Sequence, residues 1–271
     1  MDEAKIIEMI KTNPMGIRNI NNPTNEMKLI ALDKDGLLLR YITNPTKEMQ
    51  ELAMKRNVRA IEYINEPTEE MMIRAVEAGW TNLSYIKNPS EDVIKIGIKQ
   101  RGWAIQYAKD PSEELQLMAI RQDYDSIKYI KNPYESVQEE AVKISYDALR
   151  YIKSPSYNAE IIAIKNNESA VRFVNNLNKE KILNFFKENI LVIKYISKSV
   201  LKEIPKEEIK EALKEVLSKD DIEEKYIRDF LNCNLISVDS EYIPIDKMMF
   251  IYEYGSKKAK KIAVDEKLKI I

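Results

Sequence analysis

The chain has 271 residues, with 43 Lys+Arg against 44 Asp+Glu and a formal net charge of −1. That balance excludes a strongly basic nucleic-acid binder and an acidic DNA mimic, while leaving a local basic stripe open. A single cysteine, Cys233, and no histidine exclude an internal disulfide and remove the commonest general base and zinc ligand.

The N-terminal segment MDEAKIIEMIKTNP is short and amphipathic, unlike a signal peptide. No apolar run approaches the roughly 20 residues of a membrane span. A cytoplasmic setting, in a bacterial or phage-infected host cell, is expected. Cys233 reads as a small apolar filler of a helix.

A repeat begins at once. Pro23, Pro45, Pro67, Pro89, Pro111, Pro133 and Pro155 stand 22 residues apart without an insertion. Four residues before each proline from Pro45 onward comes an aromatic–aliphatic pair such as Tyr41-Ile42 or Tyr63-Ile64; Tyr107-Ala108 varies it. The register continues beyond the last proline at Phe173-Val174 and Tyr195-Ile196, and reaches back weakly to Asn19-Ile20. A fixed period of this length marks a repeat architecture.

Each unit reads as two short helices. At Asn88-Pro89-Ser90-Glu91-Asp92, either Asn88 is the N-cap with Pro89 in the first turn, or Ser90 caps and Pro89 precedes it. Acidic residues in the first turn suit the helix dipole. A small residue follows eight positions after the proline (Ala31, Ala53, Ala75, Gly97, Ala119, Ala141, Ala163), and a large apolar one after nine (Leu32, Met54, Val76, Ile98, Ile120, Val142, Ile164). A break is expected twelve positions after it, where Asp35, Asn57, Gly79, Asp123 and Asn167 tolerate a left-handed helix end. One helix pair cannot bury its own apolar face, whereas stacked copies share a continuous core.

The expected fold is therefore all-α: a right-handed α-solenoid of about 8–9 helix pairs over residues 1–200, with 1–22 as an N-terminal capping repeat. Residues from about 176 onward lose the pattern. Helices are expected at 179–190, 200–218 and 219–232, the last opened by Asp220-Asp221. The stretch 235–271 is read as one or two more helices or a small hairpin around Gly255. Residues 201–271 serve as a C-terminal cap, or as an accessory element through which a homodimer could form.

Catalytic constellations are missing. Six glycines occur, none in a phosphate-loop spacing. Carboxylate pairs such as Glu69-Glu70 and Glu113-Glu114 recur at helix starts, which marks them as capping groups. No enzymatic activity, cofactor or metal is expected.

Two variable sets remain for binding. Trp80, Trp103, Tyr124 and Tyr146 fall 13 or 14 residues after consecutive prolines, as an aromatic ridge or as rings closing the core over each turn. A basic stripe runs through Lys99, Arg121, Lys143 and Lys165, ten residues after the proline, and Lys128, Arg150 and Arg172, seventeen after. It suits a phosphate backbone, an acidic protein surface, or a solvated face with helix-terminal cations.

The units AIRQDYDSIKYIKNPY (119–134) and AVKISYDALRYIKSPS (141–156) resemble a family of short helical repeats of unknown function. That family occurs in bacterial, phage and giant-virus proteins and has an A-V-K-x-N-G-x-A-L-x-Y core. The uniform N-P-S/T-x-E turn departs from it toward HEAT-like arrays. The resemblance implies an α-solenoid without catalytic residues, and a phage or host-interaction role. The leading expectation is a protein-binding scaffold, adaptor or inhibitor, in one concrete version an inhibitor of a host enzyme or defence complex; the alternative is nucleic-acid binding through the basic stripe.

Overall fold

In a computed structural model that describes residues 2–268, the chain is an all-α array of helix pairs. Met1 and 269–271, the extremes of the N-terminal segment and of the 235–271 tail, lie outside the described residues. The chain divides into two compact units, Met1–Asn132 and Pro133–Ile271.

The first unit holds six repeats. Their α-helices are α1 (Glu3–Thr12), α2 (Asn25–Lys34), α3 (Lys47–Arg56), α4 (Glu69–Ala78), α5 (Glu91–Gln100) and α6 (Glu113–Gln122). Each is followed by a six-residue 3-10 helix: Pro14–Asn19, Gly36–Tyr41, Val58–Tyr63, Trp80–Tyr85, Gly102–Tyr107 and Tyr124–Tyr129. The expected N-terminal capping repeat thus holds a full α/3-10 pair, from Glu3 to Asn19. The second unit opens with three further pairs: α7 (Glu135–Ile144) with Tyr146–Tyr151, α8 (Tyr157–Asn166) with Glu168–Phe173, and α9 (Lys179–Glu188) with Ile190–Tyr195. The pairs therefore run to Tyr195, within the expected 1–200 array, and although the sequence pattern weakens from about 176, α9 keeps the register without a proline.

The cap chemistry resolves the two readings of the helix start. Thr24, Thr46, Thr68, Ser90 and Ser112 each accept a hydrogen bond from the backbone N–H three residues on, and the proline precedes the cap. The break twelve residues after the proline differs from expectation. Asp35, Asn57 and Asn167 are extended rather than left-handed. Their side chains accept from the N–H two residues on, at 2.9, 3.0 and 2.9 Å. These residues are N-caps of the following 3-10 helix as well as ends of the preceding α-helix. Left-handed backbone falls instead at Asn22, Asn44 and Asn176, in the turn that leads to the next α-helix.

The +8 and +9 positions form the core. Ala31, Ala53, Ala75, Ala119, Ala141 and Ala163 are fully buried, as are Leu32, Val76, Ile98 and Ile120 beside them. Adjacent α-helices pack within each unit, and so do successive 3-10 helices. Hydrogen bonds and ion pairs tie neighbouring repeats: Gln100 donates to the Val76 carbonyl at 2.7 Å and accepts from the Trp80 N–H at 2.9 Å. Arg56 pairs with Asp33 and Arg74 with Glu51. Ser90 Oγ donates to Glu69 at 2.9 Å, giving that first-turn carboxylate an inter-repeat role.

The tail is helical, with α10 (Lys198–Lys202), α11 (Lys206–Leu217), α12 (Glu224–Asn232), α13 (Lys247–Tyr254) and α14 (Lys257–Leu268). Asp220-Asp221 lies in the turn before α12, whose N-cap is Glu223. No hairpin forms around Gly255: α13 and α14 flank it. The strands present are β1 (Ile236–Ser237) and β2 (Ile243–Pro244), two residues each and parallel. Helix α11 packs on α9, and α12 on the 3-10 helix of the ninth repeat. Phe185 and Phe186 are fully buried there, and the buried Tyr226 hydroxyl donates to the Phe186 carbonyl at 2.6 Å. Among the described residues no helix is long and apolar enough to cross a membrane.

Two substitutions test this account by urea-unfolding midpoints. Gly79 stands at a 3-10 N-cap with no side chain to accept the bond, and a Cβ there meets nothing closer than 3.9 Å. Gly79→Asn is expected to stabilise by about 0.5 kcal/mol, from the added acceptor and the lower entropy of the unfolded chain. At Gly102 a Cβ would stand 2.4 Å from the Ala119 carbonyl oxygen of the next repeat, so Gly102→Ala is expected to destabilise by about 2 kcal/mol.

Candidate interaction surface

The aromatic set divides between two registers. Trp80, Tyr124 and Tyr146 open their 3-10 helices, whereas Trp103 is the second residue of its own. All four rings are half-buried. Gly102 takes the opening position in the fifth repeat because the backbone there closes on the next helix, its N–H donating to Asp123 Oδ2 at 2.7 Å.

Trp103 is held by a polar cluster. Its indole N–H donates to Asp125 at 2.7 Å. The Lys128 ammonium lies 4.0 Å, and the Arg101 guanidinium 4.4 Å, from the ring centroid. Lys128 also pairs with Asp125 at 2.7 Å, and Arg101 with Asp123 at 3.3 Å. Burial acts to raise the Asp125 carboxyl. The hydrogen bonds from Lys128 and Trp103 more than offset it, so its pKa lies below the ordinary value. Such a cluster braces the junction of the fifth and sixth repeats and leaves Trp103 little freedom to serve as a separate anchor.

The basic stripe lies on two kinds of element. Lys99, Arg121, Lys143 and Lys165 stand in last turns of α-helices, where cations suit the dipole. Lys128, Arg150 and Arg172 stand in last turns of 3-10 helices. In the first unit Lys128 is engaged as described, and Lys99 and Arg121 are exposed. In the second, Lys143 pairs with Glu139 at 3.6 Å, Arg150 with Asp147 at 3.6 Å and Lys165 with Glu223 at 3.0 Å. Arg172 lies 5.4 Å from the Tyr195 ring centroid. At least four of the seven cations, Lys128, Lys143, Arg150 and Lys165, therefore already face a carboxylate.

A third row was not singled out from the sequence. The last residue of each 3-10 helix in repeats two to six is a tyrosine: Tyr41, Tyr63, Tyr85, Tyr107 and Tyr129. The aliphatic partners Ile42, Ile64, Ile86 and Ile130 are buried, whereas Tyr41 and Tyr129 are exposed and the other three half-buried. None of these five hydroxyls has a hydrogen-bond partner among the described residues. Cations lie over several rings, with Arg40 4.6 Å from the Tyr41 centroid, Arg59 5.0 Å from Tyr85 and Lys128 5.1 Å from Tyr129. In the second unit Tyr151, Phe173 and Tyr195 hold the same position. The signal in the sequence was the residue type. A position buried in every repeat has no use for a recurrent phenol, so its hydroxyl marks an edge that meets water.

Among the described residues no group of three or more acidic, Cys or His side chains is arranged to hold a metal ion. Cys233 is buried. Lys247 reaches the Cys233 carbonyl at 3.1 Å, capping the end of α12, and burial lowers its pKa.

One buried carboxylate stands apart. Glu160 is 1% exposed at the position where Gln116 and Gln138 donate to the carbonyls of Pro111 and Pro133. A carboxylate cannot donate, so Glu160 pairs instead with Lys181 of the next repeat, at 2.6 and 2.8 Å. Burial raises its pKa despite that partner.

Comparison of the chain with protein-family models, curated proteins and solved structures finds no match in any of the three.

The raised Glu160 pKa carries a sign. An acid whose folded pKa exceeds its unfolded value contributes stability at low pH and loses it as pH rises through the folded pKa. Unfolding free energies of wild type and Glu160→Gln, taken between about pH 4 and pH 7, should show the wild type losing stability relative to the variant as pH rises. A constant difference across that window would contradict the assignment.

Proposed function

We propose that this chain is a protein–protein interaction module, a scaffold, adaptor or inhibitor that holds a partner across its 3-10 helices. One observation carries the reading: the tyrosine row at the ends of the 3-10 helices in repeats two to six. These rings recur once per repeat, remain wholly or partly accessible, and keep their hydroxyls without a hydrogen-bond partner among the described residues. Tyrosine offers large rigid contact area with a hydrogen-bonding tip at low entropic cost, and it is enriched among residues that dominate binding energy.

Other features support the same class. Recurrent polar groups are accounted for by caps and inter-repeat bonds, which leaves them structural. The resemblance of the 119–134 and 141–156 units to helical repeats of phage and giant-virus proteins is in keeping with an inhibitor of a host protein. Nucleic-acid binding through the basic stripe draws less support, because most of its cations already face acids within the chain.

The test compares variants for partner capture. Tyr85→Ala/Tyr107→Ala/Tyr129→Ala should retain the helical circular-dichroism spectrum and weaken capture of a stoichiometric partner from cognate lysate by more than about tenfold. Lys99→Glu/Lys143→Glu should leave capture unchanged. A gel shift with single- and double-stranded DNA and RNA is the complementary measurement. Salt-sensitive binding that disappears in Arg121→Glu/Lys143→Glu/Arg150→Glu would replace the protein reading with the nucleic-acid one.

A further inference from the structure

The tail carries a second surface, remote in kind from the tyrosine row. Met249 and Tyr252 on α13 are 60% and 73% exposed, and Val264 and Leu268 on α14 are 55% and 64% exposed. No large apolar side chain of the repeats is exposed to this degree. Met249 and Tyr252 are three residues apart on one helix face, and Val264 and Leu268 four apart on another. Lys260 joins the two helices, its ammonium 6.0 Å from the Tyr252 ring centroid and its position one turn before Val264.

The outward face of α14 is fixed. Ala259, Ile262 and Ala263 are buried, and α14 packs on α12. Ser256 caps its first turn, accepting from the Ala259 N–H at 3.2 Å, and Lys258 donates to the Ile222 carbonyl at 2.6 Å. Arg228 of α12 pairs with Glu266. Around the apolar residues stand Lys257, Lys260, Lys261 and Lys267, all exposed and none in an ion pair among the described residues. The acidic residues exposed on the same two helices are Glu253 and Asp265.

We propose that this face of α13 and α14 adsorbs to an anionic lipid surface, with Met249, Tyr252, Val264 and Leu268 entering the headgroup boundary and the four lysines holding the acidic headgroups. Apolar insertion together with basic attraction is what interfacial binding requires. The cation type separates this occupant from the others. Protein interfaces are enriched in arginine and depleted in lysine, whereas the exposed cations here are lysines alone, suited to diffuse negative charge. A second copy fits poorly, because a two-fold contact through this face would set its lysines against those of the partner. The mode is peripheral and needs no spanning helix.

The experiment is flotation of the full chain with vesicles of phosphatidylcholine alone or with about 30% phosphatidylserine, at low and high salt. The expected result is binding to the anionic vesicles only, reduced at high salt. Binding should fall at least about tenfold in Tyr252→Glu/Val264→Glu and in Lys257→Glu/Lys260→Glu/Lys261→Glu. Because all five positions are exposed, both variants should fold, as circular dichroism checks; if either does not, Tyr252→Ser/Val264→Ser and Lys257→Gln/Lys260→Gln/Lys261→Gln carry the same comparison. No vesicle-bound fraction, equal binding to neutral vesicles, or undiminished binding in both variants would overturn the proposal. So would self-association by light scattering that the variants abolish, which would make the face a contact between copies. Capture of a protein partner through Tyr85, Tyr107 and Tyr129 should not change in these variants, so the two surfaces stand or fall separately.

Discussion

The structure depends on how closely one α-helix can approach the next. A ten-residue helix and a six-residue 3-10 helix have too little surface to enclose a core alone. The alanines eight residues after the prolines, with Gly97 in the fifth repeat, remove the obstacle, and the complete burial of those alanines shows that the space is filled. The large residue that follows each of them is buried as well. Each such side chain removed from water contributes about 1.5–3 kcal/mol, set against the ordering of a very short segment. The ninth repeat reverses the rule. Phe185 and Phe186 occupy the two core positions there, and besides the eighth repeat it is α11 and α12, not a tenth repeat, that pack against it. Bulk replaces the alanine where the neighbour no longer has the same shape, and Tyr226 satisfies a backbone carbonyl at that end. The tail thereby performs the capping that an array end needs.

The same spacing constraint explains the 3-10 helices. Six residues link the end of one α-helix to the proline turn that starts the next. An α-helix of that length would be little more than one turn, whereas the narrower helix gains length per residue. Asp or Asn at its start supplies an acceptor to an otherwise unsatisfied N–H. The aliphatic residue that follows each 3-10 helix, such as Ile42, Ile64 or Ile86, is extended, and at Asn22 and Asn44 the chain then turns through left-handed backbone directly before the proline. Polar groups left over at each junction are matched across repeats, as with Gln100, Ser90 and Arg56. The near balance of charge accords with such matching: Arg56 meets Asp33 and Arg74 meets Glu51 across repeats.

Much of this was legible in the sequence. The proline spacing, the alanine at +8 and the large residue at +9 specified helix pairs and their buried face before any coordinates. The helix type of the second element was less legible, because six residues carry too little periodicity to separate 3.0 from 3.6 per turn. Asp35 and Asn57 were assigned to the wrong device, since the same residues serve left-handed ends and N-caps. In the tail, Asp220-Asp221 had the composition of a helix start but not its position. The surface was hardest to read. The recurrent aromatic–aliphatic pair marks the repeat but does not show that its halves part, with Ile42, Ile64, Ile86 and Ile130 buried and Tyr41 and Tyr129 exposed. Trp80 and Trp103 drew attention by type, yet one residue of register separates them, and Asp125, Arg101 and Lys128 tie Trp103 into the frame.

That contrast bears on where function can sit in such a fold. A side chain that completes a junction is not available to a partner without loosening the array. Trp103, Glu160, Lys128 and Lys165 belong to that group, because each already satisfies, or is satisfied by, a neighbouring element, whereas Lys143 and Arg150 pair within their own helices. The tyrosine hydroxyls and the apolar–lysine face of α13 and α14 have no such obligation. Their exposure brings no gain in folding energy, and the apolar groups of the tail face carry a solvation cost. Large side chains kept in water at a cost, at positions where a smaller polar residue would serve the fold equally well, are the ones whose presence calls for a partner outside it.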